Sequence, residues 1–122
     1  MPLVRALQDD IVNFYSLNGE LPDSLWKLAI DRNEFDVTST TKGVHKATNC
    51  TIELKRISGK PTIVEDCGEG WQLQYSVQST ALGYVPAPRI FKITSNQASN
   101  AGIAKSFGWD KNGSSTTEYI IK

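Results

Sequence analysis

Few residues in this chain could do chemistry. There is one histidine, His45, and two cysteines, Cys50 and Cys67. A usual zinc site takes four nitrogen, sulfur or carboxylate ligands; no second histidine or spare cysteine is present to complete one, so no metal site is expected. His45 stands between Lys42 and Lys46 without a partner acid or nucleophile, and reads as an exposed loop residue rather than a ligand or base. Asp9, Asp10 and Asp23 read as helix-face and cap residues rather than as an acid–base pair. Gly68-Glu69-Gly70 lacks the third glycine and the flanking elements of a dinucleotide loop. No catalytic residue and no cofactor is expected, and the chain does not read as an enzyme.

The two cysteines are spaced to bond each other. Residues 48–57, TNCTIELKRI, alternate Cys50, Ile52 and Leu54 with Thr51, Glu53 and Lys55, the pattern of a half-buried strand. Ser58-Gly59 signals a turn, and 60–67 runs back with Pro61, Ile63, Glu65 and Cys67 on one face. With Ser58 and Gly59 as the two loop residues, Leu54 faces Ile63 and Cys50 falls opposite Cys67. Pairs alternate outward from such a turn, so Cys50 and Cys67 form a non-hydrogen-bonded pair, the closer kind, within disulfide reach. Pro61 also lands in a non-hydrogen-bonded pair, where its missing N–H removes no bond from this ladder. Ser-Gly is not the strongest two-residue turn, and a bulged loop would shift the register by one. Two reduced, buried cysteines are the alternative. A bridge implies an oxidising compartment.

The elements that must position these residues follow from periodicity. Leu3, Val4, Leu7, Ile11, Phe14 and Tyr15 recur mostly at three- and four-residue steps, one apolar helical stripe and a candidate interface. Asn18-Gly19 is a helix stop, Leu21-Pro22 favours an extended step, and Asp23 or Ser24 can cap a short helix carrying Leu25, Trp26, Leu28 and Ala29. Trp71, Leu73, Tyr75 and Val77 alternate with polar residues in the cleanest strand of the chain; 89–94 and 117–122 read as further strands, and 95–100 and 110–115 as loops. The expected fold class is α+β, an N-terminal amphipathic helix packed on an antiparallel β-sheet. It forms one domain, 1–122, divided into the helix (1–18), a connecting region with a short helix (19–47) and the sheet (48–122).

Thirteen basic and thirteen acidic side chains cancel, so the chain has no global reason to seek nucleic acid or an anionic membrane. Locally, Lys42, Lys46, Lys55, Arg56 and Lys60 outnumber Glu53 in 42–60; they form either a solvated strand face or a ligand patch. No stretch approaches the roughly 20 apolar residues that span a bilayer, and 1–5 do not begin a secretory signal. A disulfide without an export signal leads to the expectation that the natural chain begins upstream of Met1.

Two blocks carry a resemblance to a known family. The first is 11–25, IVNFYSLNGELPDSL: a helix end, an aromatic pair, Asn-Gly, Leu-Pro and a following Ser-Leu. The second is 66–77, DCGEGWQLQYSV, an acidic-Trp-Gln-Tyr strand start that lacks the glycine after the tryptophan. In order and spacing they resemble the soluble part of type IV pilins and of type II secretion pseudopilins. The resemblance implies a pilin-like head on a longer N-terminal apolar helix that anchors it in the inner membrane before assembly, other pilin subunits as partners through that helix, and display in an extracellular filament or the periplasm. The stripe would be buried partly against the subunit's own sheet, with the other helix face meeting neighbours. The calcium loop of major pseudopilins is not matched: in 108–115 only Asp110 is anionic. The cysteines lie mid-chain rather than closing a C-terminal loop. Both departures point to a minor or lineage-specific pilin. The alternatives are a pilin-like binding module, capturing DNA or a surface ligand through the basic segment and exposed aromatics such as Trp109, and a type II secretion pseudopilin.

Overall fold

The computed structural model describes residues 2–122; Met1, and with it the expectation about the natural start of the chain, lies outside the described residues. The apolar stripe forms α1 (Pro2–Asn18). The helix stops where Gly19 takes a left-handed φ of +74°, its N–H donating to the Tyr15 carbonyl at 2.8 Å. The short helix expected after Pro22 is a single 3-10 turn, Leu25–Lys27, and Ser24 is its cap: its hydroxyl accepts the Trp26 N–H at 3.2 Å. A second such turn, Arg32–Glu34, leads into the sheet.

Among the described residues nine strands follow: β1 (Phe35–Val37), β2 (Lys42–His45), β3 (Thr51–Ile57), β4 (Lys60–Asp66), β5 (Trp71–Thr80), β6 (Gly83–Pro86), β7 (Ile90–Ile93), β8 (Asp110–Lys111) and β9 (Glu118–Ile120), with α2 (Gln97–Ser106) between β7 and β8. All pairings are antiparallel, in the order β1-β2-β3-β4-β5-β7-β9-β8, and β6 pairs with the far end of β5. The β3–β4 register pairs Ile57 with Lys60 and Leu54 with Ile63. Ser58 and Gly59 both have positive φ, +51° and +78°, the two-residue turn whose twist matches the strands it joins. One pair beyond Thr51–Asp66, the Cys50–Cys67 disulfide closes the hairpin across a Cα separation of 4.1 Å.

This architecture corrects the expected fold class. The α+β arrangement of a pilin-like head gives way to a mostly antiparallel β protein, an open sheet with one N-terminal helix and a second, short one. The sheet begins at Phe35, inside the segment that reads as a connection. Width explains why the helix is no covering layer. Eight adjacent strands at about 4.8 Å spacing span roughly 34 Å, whereas a helix with its side chains is about 10 Å across. α1 meets β4, β5 and β6. Its residues Val4, Leu7 and Ile11 are fully buried in a cluster with Leu25, Ile63, Tyr75 and Val77.

The unexpected elements have local causes. Strands disfavour glycine, yet β2 carries Gly43 because Trp26 lies against it: a Cβ there would stand 2.6 Å from Trp26 Cη2. The Trp26 indole N–H donates to the Ser39 carbonyl at 2.8 Å, tying the corner to β2's approach. α2 occupies residues that read as loop by composition. It is held by the buried Asn100, whose amide donates to the Ser95 carbonyl at 2.8 Å, and by the fully buried Ala104.

The bridge spans 17 residues, for which loop-closure entropy predicts about 3 kcal/mol of stabilisation. The double variant Cys50→Ala/Cys67→Ala is expected to lose about that much in urea unfolding; an unchanged midpoint at equal slope would show that the register holds the hairpin alone.

Candidate functional site

The helix stripe named as a candidate interface divides in the fold. Val4, Leu7 and Ile11 are buried in the protein's own core, while Leu3, Phe14 and Tyr15 are half-buried at its edge. The Tyr15 ring stands edge-on to Tyr84 with centroids 4.8 Å apart, which seats the end of α1 against β6. What the helix offers to a neighbour is its other side: Arg5, Ala6, Asp9, Asn13 and Leu17, all exposed, with Leu17 at 85%.

Two polar residues that sequence reading left out of the core fix the helix in place. Gln8 is fully buried within an apolar stripe. Its amide nitrogen donates to the carbonyls of Ser76 at 2.7 Å and Ala87 at 3.1 Å, and its amide oxygen accepts from Arg89 Nε at 3.1 Å. One side chain thus joins α1 to β5 and to the start of β7. Asp10, expected as a plain helix-face residue, accepts the Ala29 backbone N–H. It clips the helix to the corner that follows it. The sequence cue for Gln8 was a polar residue directly after Leu7, inside the buried arc.

The basic segment does not form one patch. Lys42 pairs across the ladder with Glu53, and Lys60 pairs with Ile57, so Lys42, Glu53, Lys55 and Lys60 share one face of the β2–β3–β4 region by alternation. Arg56, one residue on from Lys55, falls on the opposite face and donates to the Gly59 carbonyl at 3.1 Å. Lys46 lies just past β2 in an exposed turn. An acid sits among the lysines, as on a solvated strand face.

His45 is not a loop residue. It ends β2, half-buried, its ring 4.9 Å from Phe35. Its Nδ1 is 3.2 Å from Thr48 Oγ1 and its Nε2 is 3.6 Å from Glu34. Hydroxyl, imidazole and carboxylate stand in the order of a proton relay, but 3.6 Å is beyond hydrogen-bond range, and Thr48 Oγ1 also accepts the Cys50 N–H at 3.3 Å. The arrangement closes the β2–β3 turn. Asp110, the acid of the stretch compared with a calcium loop, lies on β8 with Lys122 Nζ 3.3 Å away.

Sequence reading also missed an aromatic cleft. Trp71, Tyr75, Phe91, Phe107 and Trp109, with Leu73, Ile103 and Ile121, line a hollow of about 350 Å³ between the sheet and α2. Trp109, expected as an exposed aromatic, is half-buried there; its ring stacks on Phe107 at 4.8 Å, and Phe107 is the exposed member at 64%. The Trp71 indole N–H is buried without a partner.

Beside the disulfide lies Glu65, 1% exposed. Burial, the dominant cause, raises its carboxyl pKa above the ordinary 4.5, with only partial opposition from nearby positive charge, His45 included. The bridge itself is formed, and such bonds persist in oxidising surroundings such as the periplasm or the cell exterior. No helix among the described residues is long and apolar enough to cross a membrane.

No protein-family profile matches the chain, and neither a curated protein nor a solved structure matches it.

Two expectations follow from the buried polar groups. Gln8→Ala strands the Ala87 carbonyl and a guanidinium N–H, while the Ser76 carbonyl keeps the Ala87 N–H, and is expected to cost roughly 2–3 kcal/mol in urea unfolding; a loss within about 0.5 kcal/mol, the range of an ordinary surface substitution, would contradict the anchoring role. Glu65 with a raised native pKa binds its proton more tightly folded than unfolded. Its contribution is therefore present in full below the ordinary pKa of 4.5 and is lost as pH rises through the native value. In the oxidised protein, Glu65→Gln is expected to remove that downward slope; an identical pH profile in the variant would show that Glu65 does not produce it.

Proposed function

We propose that the chain is a structural subunit of a type IV pilus or a related filament, a minor or lineage-specific pilin whose disulfide-bonded domain is displayed outside the cytoplasm. The observation that carries this reading is the junction at 9–28. An amphipathic helix buries one side in its own domain, ends at a left-handed glycine, and is clipped by Asp10 to the corner capped by Ser24. A helix so fixed at its C-terminal end carries its domain as a rigid unit, which a helix-built filament requires. The opposite side, Arg5 to Leu17, stays exposed for neighbouring subunits.

The two blocks that carry the resemblance to pilins support this, because they share the core: Ile11 and Leu25 of the first are buried in one cluster with Leu73, Tyr75 and Val77 of the second. The reading takes other subunits as partners through α1, and an upstream apolar segment as the anchor before assembly. Deletion of the gene is the test. Loss or thinning of surface filaments is the expected outcome, and loss of protein secretion with pili intact would identify the subunit as a pseudopilin. Filaments and secretion both unaffected would overturn the proposal.

A further inference from the structure

Gln8, Thr62, Glu65 and Asn100 are the buried polar side chains among the described residues, and Glu65 alone of them ionises. The other three are satisfied: Gln8 by carbonyls of β5 and the β6–β7 link, Thr62 by Ser76, and Asn100 by Ser95. Glu65 Oε2 is buried and has no hydrogen-bond partner. An unpartnered buried carboxyl group is costly, so its surroundings matter.

Those surroundings are the two cysteines. Glu65 and Cys67 are two residues apart and share one face by alternation, while Cys50 is held across the ladder from Cys67 by the disulfide. A Glu65 carboxylate oxygen and both sulfurs lie within 4.8 Å of one another. The cluster therefore combines two sulfurs with an oxygen that nothing else in the fold engages.

We propose that reduction of the Cys50–Cys67 bridge turns this cluster into a binding site for a thiophilic divalent cation of the Zn²⁺ or Cd²⁺ class, held by two thiolates and the Glu65 carboxylate. The reductant is a dithiol: its two sulfurs join as a disulfide, the Cys50–Cys67 bond accepts the two electrons and breaks, and each cysteine sulfur takes one proton. The cation then displaces a proton from each thiol and takes the Glu65 carboxylate as its third ligand, forming two metal–sulfur bonds and one metal–oxygen bond, with water in the fourth position. Tetrahedral zinc with sulfur ligands at about 2.3 Å needs the sulfurs roughly 3.8 Å apart. Two cysteines flanking the ends of paired strands, with Cα atoms 4.1 Å apart, reach that spacing by side-chain rotation. Two thiolates with one carboxylate favour zinc and softer cations over calcium and magnesium, which take oxygen ligands. Bridge and cation exclude each other, because a disulfide sulfur is not a thiolate.

The test uses the full chain, reduced with a dithiol and freed of it without oxygen, then titrated with Cd²⁺ and followed by the thiolate-to-metal absorption band. Native mass spectrometry with Zn²⁺ gives stoichiometry, and circular dichroism reports folding throughout. One ion per reduced chain, none on the oxidised chain and none on Cys50→Ser/Cys67→Ser are expected. Glu65→Gln is expected to keep the fold and bind roughly tenfold or more weakly. Equal binding by oxidised protein or by Glu65→Gln would overturn the proposal. So would a reduced chain that binds no ion, or one that unfolds and is not refolded by Zn²⁺.

Discussion

The two-residue turn at Ser58-Gly59 is the constraint from which most of the sheet follows. Side chains alternate with a period of two, so a shift of one residue in the β3–β4 pairing would put Ile52 and Leu54 on the face opposite Ile63. The left-handed conformation of both turn residues rules out that shift. It sets Ile52, Leu54 and Ile63 into the core, places Pro61 where its missing N–H removes no bond from this ladder, and brings Cys50 against Cys67. β4 then serves as the edge on which β5 pairs, and β5, the longest strand, receives β6 and β7 on its other side.

The helix depends on that sheet in turn. An isolated helix of this length is marginal in water; α1 is stabilised by burying Val4, Leu7 and Ile11 and by the hydrogen bonds of Gln8. Those bonds specify position as well as adding stability. Apolar contacts tolerate sliding, whereas an amide that must reach two carbonyls and one guanidinium fits a single placement. Asp10 does the same for the corner after the helix. Together they fix α1 against the sheet and against the corner that follows it.

The hairpin, its disulfide and the helix stop were legible in the sequence because each is written within a short span: a turn pair, an alternation, a glycine after an asparagine. The fold class was not. β1, β2, β6 and β8 are two to four residues long, too short to show a period. Gly43 argues against a strand until the ring of Trp26 is seen to fill the space beside it. α2 is rich in small polar residues, and its stability comes from Asn100 reaching the Ser95 carbonyl, a contact that local composition does not announce. At the candidate site the same division holds. Alternation put Glu65 on the face of Cys67, but its burial depends on which elements close over that face. The aromatic cleft draws on β5, β7, α2 and the C-terminal segment, and so appears only in three dimensions.

The proposed filament role draws on a disulfide of the kind that persists in oxidising surroundings, a helix with one buried and one exposed side, and a fixed corner between helix and sheet. Immunogold electron microscopy of native cells, with antibodies raised against the purified domain, tests the filament assignment most directly. The account predicts gold along or at the tips of surface filaments, with the protein recovered in the sheared filament fraction. Label confined to the soluble periplasm or medium, with filaments bare, would contradict it.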